Sequence, residues 1–259
     1  MIQTDAIVTG ASPYSETTLL VKLLTRECGV VRVLAKGARR TGGSPQAAFE
    51  LFARIETSVS EHAGQRLGVM RAPTLKRTFA YLRSDVPRLA FASLGLEALA
   101  GVAGLSPPGP VYFEIATEFL ERMESSPGPG SLTVALMLAL WHEAGLAPEV
   151  PAEWTPGTMP PHVAYEFEHQ RLTVPATGQS DRHTLVLDGR ILVPLLDPMR
   201  RPVGFEQAPL LHGRAGRQAL DWLTRVFEDH LGATLKSARF LEKMVYGRAR
   251  EGSARREGS

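Results

Sequence analysis

The sequence predicts an α+β protein: an N-terminal β-barrel of the OB-fold type, followed by a helical domain with a small β-hairpin insertion. Three observations carry this. Residues 1–80 hold five short strand-like segments separated by turn residues, with no helical pattern among them. From about Ser84 the apolar period changes to that of a helix. Between Pro148 and Leu187 a proline-rich connector gives way to short strand-like runs, after which helical spacing returns.

The first strand is expected over Gln3 to Gly10, and Ser12-Pro13-Tyr14-Ser15 has the composition of a turn. Thr17 to Thr25 forms the second strand. The third starts at Gly29, where Val31, Val33 and Ala35 alternate with Arg32, Leu34 and Lys36 and β-branched residues lead. It breaks into a loop containing Gly37, Gly42, Gly43 and Pro45. Phe49 to Ser60 alternates in part, with Leu51, Ala53, Ile55, Thr57 and Val59 on one face. His62-Ala63-Gly64-Gln65 reads as a hairpin turn, and Leu67 to Leu75 is the last strand, ended near Pro73. Closing five short strands into a barrel removes exposed sheet edges. Such a barrel can stack bases on aromatic side chains. Of the aromatics here, Tyr14, Phe49, Phe52 and Phe79 are each expected in the core, because rings usually supply packing.

Leu82, Val86, Leu89, Leu96, Leu99 and Ala103 follow a helical spacing, with Ser84-Asp85 as the cap region and Ser106-Pro107-Pro108-Gly109-Pro110 as the stop. Tyr112, Ile115, Phe119 and Met123 mark a second helix, closed by Ser125-Ser126-Pro127-Gly128-Pro129-Gly130. Leu132 to Gly145 is apolar nearly all round and belongs inside a bundle. Val163 to Val174 and His183 to Leu187 are short strands, with Gln170 at a hairpin tip. Ala208-Pro209 opens a further helix on which Leu220, Leu223, Phe227 and Leu231 line up, and Gly232 stops it. Leu235 to Tyr246 is a last short helix, and the tail 247–259, without apolar periodicity, is expected to be disordered and basic. The expected divisions are a barrel over 1–80, helices over 81–147, a loop and hairpin region over 148–204, and C-terminal helices over 205–246.

Charge is unevenly spread. Residues 1–80 hold eleven Lys and Arg against six Asp and Glu, residues 236–259 hold seven against three, and the net charge of +2 leaves the middle acidic. Arg32, Lys36, Arg39 and Arg40 lie in one stretch with no carboxylate between Glu27 and Glu50. A concentrated positive field on a loop rooted in a sheet suits a polyanion, nucleic acid being the commonest. Arg66, Arg71, Lys76 and Arg77 are placed to extend the track, and Arg200 and Arg201 are further candidates. Arg88 and Arg122 are candidate rim residues for a protein partner on the helices. No run of about 18 apolar residues is present, so no membrane span is expected. The N-terminus lacks the charged and apolar regions of a secretory signal, and the single Cys28 cannot form an internal disulfide; an intracellular, cytoplasmic protein is expected.

No catalytic constellation stands out, and no enzyme, cofactor or metal is expected. Gly37 and Gly42 have the spacing of a P-loop, but the position that needs Lys holds Gly43, and Pro45 follows where a helix should begin. His162, His169 and His183 lie near Glu166, Glu168 and Asp181 without a recognised zinc spacing, so surface solvation is the reading.

Tyr14-Ser-Glu-Thr-Thr-Leu-Leu-Val, Leu24-Thr-Arg-Glu-Cys-Gly, Val33-Leu-Ala-Lys-Gly-Ala-Arg-Arg and the C-terminal His230-Leu-Gly-Ala-Thr-Leu-Lys-Ser-Ala-Arg-Phe-Leu resemble the RecO family of bacterial recombination mediators. The resemblance implies an OB-fold, a central helical domain and, in many members, a four-cysteine zinc module before the last helices. Between Glu153 and Thr184 this chain has no cysteine, so the zinc site is absent and packing must hold that region. The implied activity is binding of single- and double-stranded DNA, annealing of complementary strands, and help in loading recombinase onto DNA coated by single-strand binding protein (SSB). The implied partners are RecR, the acidic C-terminal tail of SSB and, indirectly, RecA, in association with the nucleoid. Lys36, Arg39 and Arg40 match the family's expected DNA-contacting loop. The alternatives are a plain OB-fold single-strand binder and a protein-interaction adaptor without mediator activity.

Overall fold

The structure is a computed structural model, and it describes residues 1–40, 46–60, 67–175, 184–207 and 209–247. Strands β1 (Ile2–Pro13), β2 (Leu19–Thr25), β3 (Gly29–Ala35), β4 (Arg54–Ser60) and β5 (Gly68–Arg77) form a closed barrel in the order β1-β2-β3-β5-β4. Four of its pairings are antiparallel, and β3 and β5 run parallel through Val33 opposite Gly68 and Leu34 opposite Val69. At that closure a Cβ on Gly68 would sit 2.5 Å from the Ser60 carbonyl, so no side chain fits there. The period of two explains the core. Ala6, Val8, Val21, Leu23, Val33, Ile55, Val59 and Met70 are buried together inside. This is the OB-fold, in an α+β chain, that the strand spacing predicts.

The fourth strand is shorter than the alternation from Leu51 suggested. Gln46–Phe49 is a 3-10 turn, and Phe52 adopts a left-handed φ of 72°. The Phe52 N–H donates to the Val8 carbonyl at 2.9 Å, and the Val8 N–H donates to the Ala53 carbonyl at 2.9 Å. Those two bonds turn the chain onto β1 and bury the Phe52 ring, which offsets the cost of its backbone conformation. Phe49, Phe52 and Phe79 are buried as expected; Tyr14 is not, its residue being 58% exposed.

The chain divides into two compact units. The first comprises Met1–Leu89 and Leu99–Ser125, so the barrel shares its unit with helices α1 (Ala80–Ser84), α3 (Val111–Ser125) and both ends of α2 (Val86–Leu105). Helix α3 packs on β1 and β2, where Ile7 and Leu24 are buried although they alternate with the inward residues. Asp85 caps α2 as its position foretold, its carboxylate accepting the Arg88 N–H at 3.1 Å. By length and composition α2 is apolar enough to cross a membrane, although it holds no unbroken run of 18 apolar residues. The expectation counted unbroken apolar runs, and Ser93 and Glu97 interrupt this one. More than half of the segment is buried inside the protein.

The second unit comprises Ala90–Ala98 and Ser126–Ser259. Its centre is α4 (Pro129–Glu143), buried almost throughout, against which α7 (Gly213–Leu231) packs. Gly232 ends α7 at φ 59°, as its place in the sequence predicts. Strands β6 (His162–Glu166), β7 (Arg171–Thr173) and β8 (Thr184–Asp188) form a sheet in the order β7-β6-β8, and Gln170 takes φ 50° at the hairpin tip. Short helices α5 (Gly189–Leu192) and α6 (Leu196–Arg200) lead on toward α7. Helix α8 (Lys236–Leu241) has its first N–H groups, those of Lys236 and Ser237, donated to the Glu97 carboxylate at 3.2 and 2.7 Å. The turn expected at 62–65 and most of the expected tail, residues 248–259, lie outside the described residues.

Packing holds the cysteine-free hairpin. Tyr165 on β6 stacks on Trp141 at 6.2 Å between ring centroids and meets Trp222 edge-on at 5.6 Å. Trp141 and Trp222 meet edge-on at 5.1 Å, and Phe167 closes on Tyr165 at 5.1 Å. Edge-to-face rings at such distances add to the burial term. Burial also pushes the Tyr165 phenol well above its ordinary range.

Candidate nucleic-acid interface

On the barrel's outer face Lys22 of β2 stands directly opposite Arg32 of β3, and both are exposed. Like charges at opposed positions repel, so this pair lowers the stability of the sheet it sits on. Further along β3 the chain reaches Lys36, then Gly37 at φ 75° turns it through a loop in which the Arg40 N–H donates to the Gly37 carbonyl at 3.0 Å. Only glycine takes that φ without steric cost. Arg39 fastens this loop to the β1–β2 turn: its backbone N–H donates to the Thr17 carbonyl at 3.3 Å and its Nη1 to the Ser15 carbonyl at 2.8 Å. Lys36, Arg39 and Arg40 are exposed. Gly42, Gly43 and Pro45, read as the rest of the loop, lie outside the described residues.

Arg71 of β5 is exposed as well, and it joins Lys36 on the lining of a cleft of about 590 Å³ with Phe49, Met70 and Pro73. Among the described residues none of Lys22, Arg32, Lys36, Arg39, Arg40 and Arg71 forms an ion pair with a carboxylate. The sequence reading omitted Lys22. Its signal was the strand register, which a sequence without pairing partners does not show.

The other sequence candidates are placed differently. Lys76 pairs with Glu56; the hydrogen bond between them holds the Glu56 carboxyl below its ordinary range and Lys76 above its own. Arg77 bridges Glu121 at 2.8 Å and Glu124 at 2.7 Å, with its guanidinium over the Phe79 ring at 4.7 Å. Arg66 lies outside the described residues. In the second unit Arg200 donates to the carbonyls of Pro151 and Trp154 at 2.8 and 2.7 Å, and Arg201 pairs with Asp197 at 2.7 Å. Of the partner candidates, Arg88 is braced by Asp85, by the Met123 carbonyl at 2.7 Å and by the Tyr81 ring, and Arg122 pairs with Glu118 at 2.8 Å. Among the described residues no group of three or more His, Cys, Asp or Glu side chains is placed to hold a metal ion. His169 instead faces Glu166 at 3.5 Å, while Asp181 and His183 lie outside the described residues.

Comparison with known proteins bears on the same barrel. Residues 1–79 match the family model described as the recombination protein O N-terminal domain. The similarity continues beyond it. The DNA repair protein RecO of Anaeromyxobacter sp. (strain K) is 27% identical, over 94% of this chain and 96% of that protein. The chain is similar to RecO proteins over most of its length. Two further RecO proteins named for DNA repair are similar over comparable spans: that of Bacillus velezensis is 25% identical over 93% of both chains, and that of Listeria monocytogenes serovar 1/2a is 23% identical over 94% of this chain and 95% of its own. The matched domain is the one that carries Lys22, Arg32, Lys36, Arg39, Arg40 and Arg71.

Proposed function

We propose that this chain is a member of the RecO family and acts in DNA repair as a recombination mediator without catalysis of its own. It binds single- and double-stranded DNA through the basic end of the barrel, anneals complementary strands, and assists recombinase loading onto SSB-coated DNA. The observation that supports this most is the set of exposed cations on an OB barrel that no described carboxylate neutralises. Such groups displace counterions from phosphates without reading bases, which annealing on any sequence requires. A surface that screens two strands at once lowers their mutual repulsion. Within the candidate track, Lys22, Arg32, Lys36, Arg39, Arg40 and Arg71 carry the contact. Lys76, Arg77 and Arg201 have carboxylate partners, so each would lose an ion pair on meeting a phosphate, while Arg200 donates to two carbonyls and Arg39 to one.

RecR and the SSB tail are the partners this reading entails, with RecA engaged indirectly and the protein at work in the cytoplasm on nucleoid DNA. Arg122, half-buried and paired with Glu118, is the better placed of the two rim candidates, since Arg88 is built into its own helix cap. The test is annealing of complementary strands already coated with SSB, with and without RecR. Acceleration by the wild-type chain, lost in Lys36→Glu with Arg39→Glu, supports the mediator. Binding to bare strands without acceleration on coated ones leaves a plain single-strand binder.

A further inference from the structure

Tyr14 is the one aromatic of the barrel region expected in the core that the structure leaves in the open, 58% exposed beyond the end of β1. No described ring or guanidinium packs on it. Its backbone is nonetheless well fixed: the Tyr14 N–H donates to the Thr18 carbonyl at 3.0 Å, and the next residue's carbonyl receives the Arg39 guanidinium at 2.8 Å. The register places it with the cations. Pro13 stands opposite Leu19, and Leu19 opposite Ala35, so Tyr14 and Lys36 each follow directly on one of three neighbouring strand ends.

We infer that Tyr14 is a stacking platform for an unpaired base, and that it makes the basic end of the barrel prefer single strands to duplex. This rests on the DNA-binding reading above and adds what that reading lacks, since cations alone grip any phosphate chain. A ring can stack only on a base whose π-face is free. In a duplex both faces are covered by neighbouring pairs, so the ring contributes on single strands alone. A single strand running past Arg39 and Lys36 would place a base over Tyr14, while Lys36 and Arg71, which line one cleft, take the adjoining phosphate.

The experiment is a fluorescence-anisotropy titration of the full chain with oligo(dT) and with a mixed-sequence duplex of equal length at one salt concentration. Tyr14→Ala is expected to weaken oligo(dT) binding about ten-fold, the size of one base–aromatic stack, and to change duplex binding less than two-fold. Tyr14→Phe, which keeps the ring, is expected to recover most of the single-strand affinity relative to Tyr14→Ala. Equal loss on both substrates, or no loss on either, overturns the stacking role while leaving phosphate binding intact. Absence of binding by the wild-type chain to both substrates overturns the DNA-binding reading and this inference with it.

Discussion

Lys36 and Arg77 are both basic, both on the barrel, and chemically opposite in situation. Lys36 is exposed beside a cleft with no described carboxylate on it, whereas Arg77 spends its guanidinium on Glu121, Glu124 and the Phe79 ring. The two therefore separate binding from stability. Lys36→Glu with Arg39→Glu should remove two phosphate contacts and lower the slope of log affinity against log salt by about 1.4, at ~0.7 for each contact on a single strand. Its thermal midpoint should fall only slightly, because both side chains are exposed and the one bond lost is that of Arg39 to the Ser15 carbonyl. Arg77→Ala should do the reverse. Two partly exposed ion pairs and one cation–π contact are together worth about 1 to 2 kcal/mol, so urea unfolding should show that loss while the salt slope stays unchanged. Sequence alone ranked these residues together. The carboxylates that claim Arg77 lie 44 and 47 positions away, on a helix whose docking no local pattern announces.

At the level of elements the cysteine-free hairpin poses the sharper question, since an aromatic cluster holds it. Tyr165→Ala should destabilise the protein by about 3 to 5 kcal/mol, as large-to-small changes at buried rings do. A chelator should leave the thermal midpoint of the wild type where it was; a downward shift would reveal a structural metal. Asp188, between β8 and α5, is a second brace. Its carboxylate accepts from the Arg190 side chain and backbone N–H, and these bonds pull its pKa from 3.8 to about 2. A carboxyl depressed in the folded state adds stability above its ordinary pKa and loses it as pH falls toward the folded value. The midpoint of the wild type should therefore exceed that of Asp188→Asn at pH 6, and the gap should close between about pH 4 and pH 2. The strands were legible because a period of two is written in the chain itself, as in Val31, Val33 and Ala35. The helix ends at Asp85 and Gly232 were legible because capping is local. Phe52 was not, since a left-handed turn is decided by hydrogen bonds to β1. Nor was the Lys22–Arg32 juxtaposition, which exists only once two strands are in register.

At the scale of the whole molecule, a net charge of +2 conceals basic ends and an acidic middle, and this asymmetry makes salt the most informative variable. If the molecule met DNA through its average charge, binding would be weak and nearly indifferent to ionic strength. If it meets DNA through the barrel's exposed cations, affinity should fall steeply, because every neutralised phosphate releases condensed counterions. Four to six such contacts predict a slope of about −3 to −4 on single strands in a plot of log affinity against log salt. Adaptor behaviour predicts something else: no binding to labelled single strands at low or moderate salt, with the basic loop reserved for an acidic protein. The titration separates the two, and its slope also counts the contacts. A value near −2, about 0.7 for each of Lys36, Arg39 and Arg40, would mean that Arg32 and Lys22 on the sheet face take no part and that the loop alone touches the strand. A value near −4 requires the sheet face, the loop and Arg71 to act together, so the like charges that strain β2 against β3 would be relieved only when a phosphate chain lies across them.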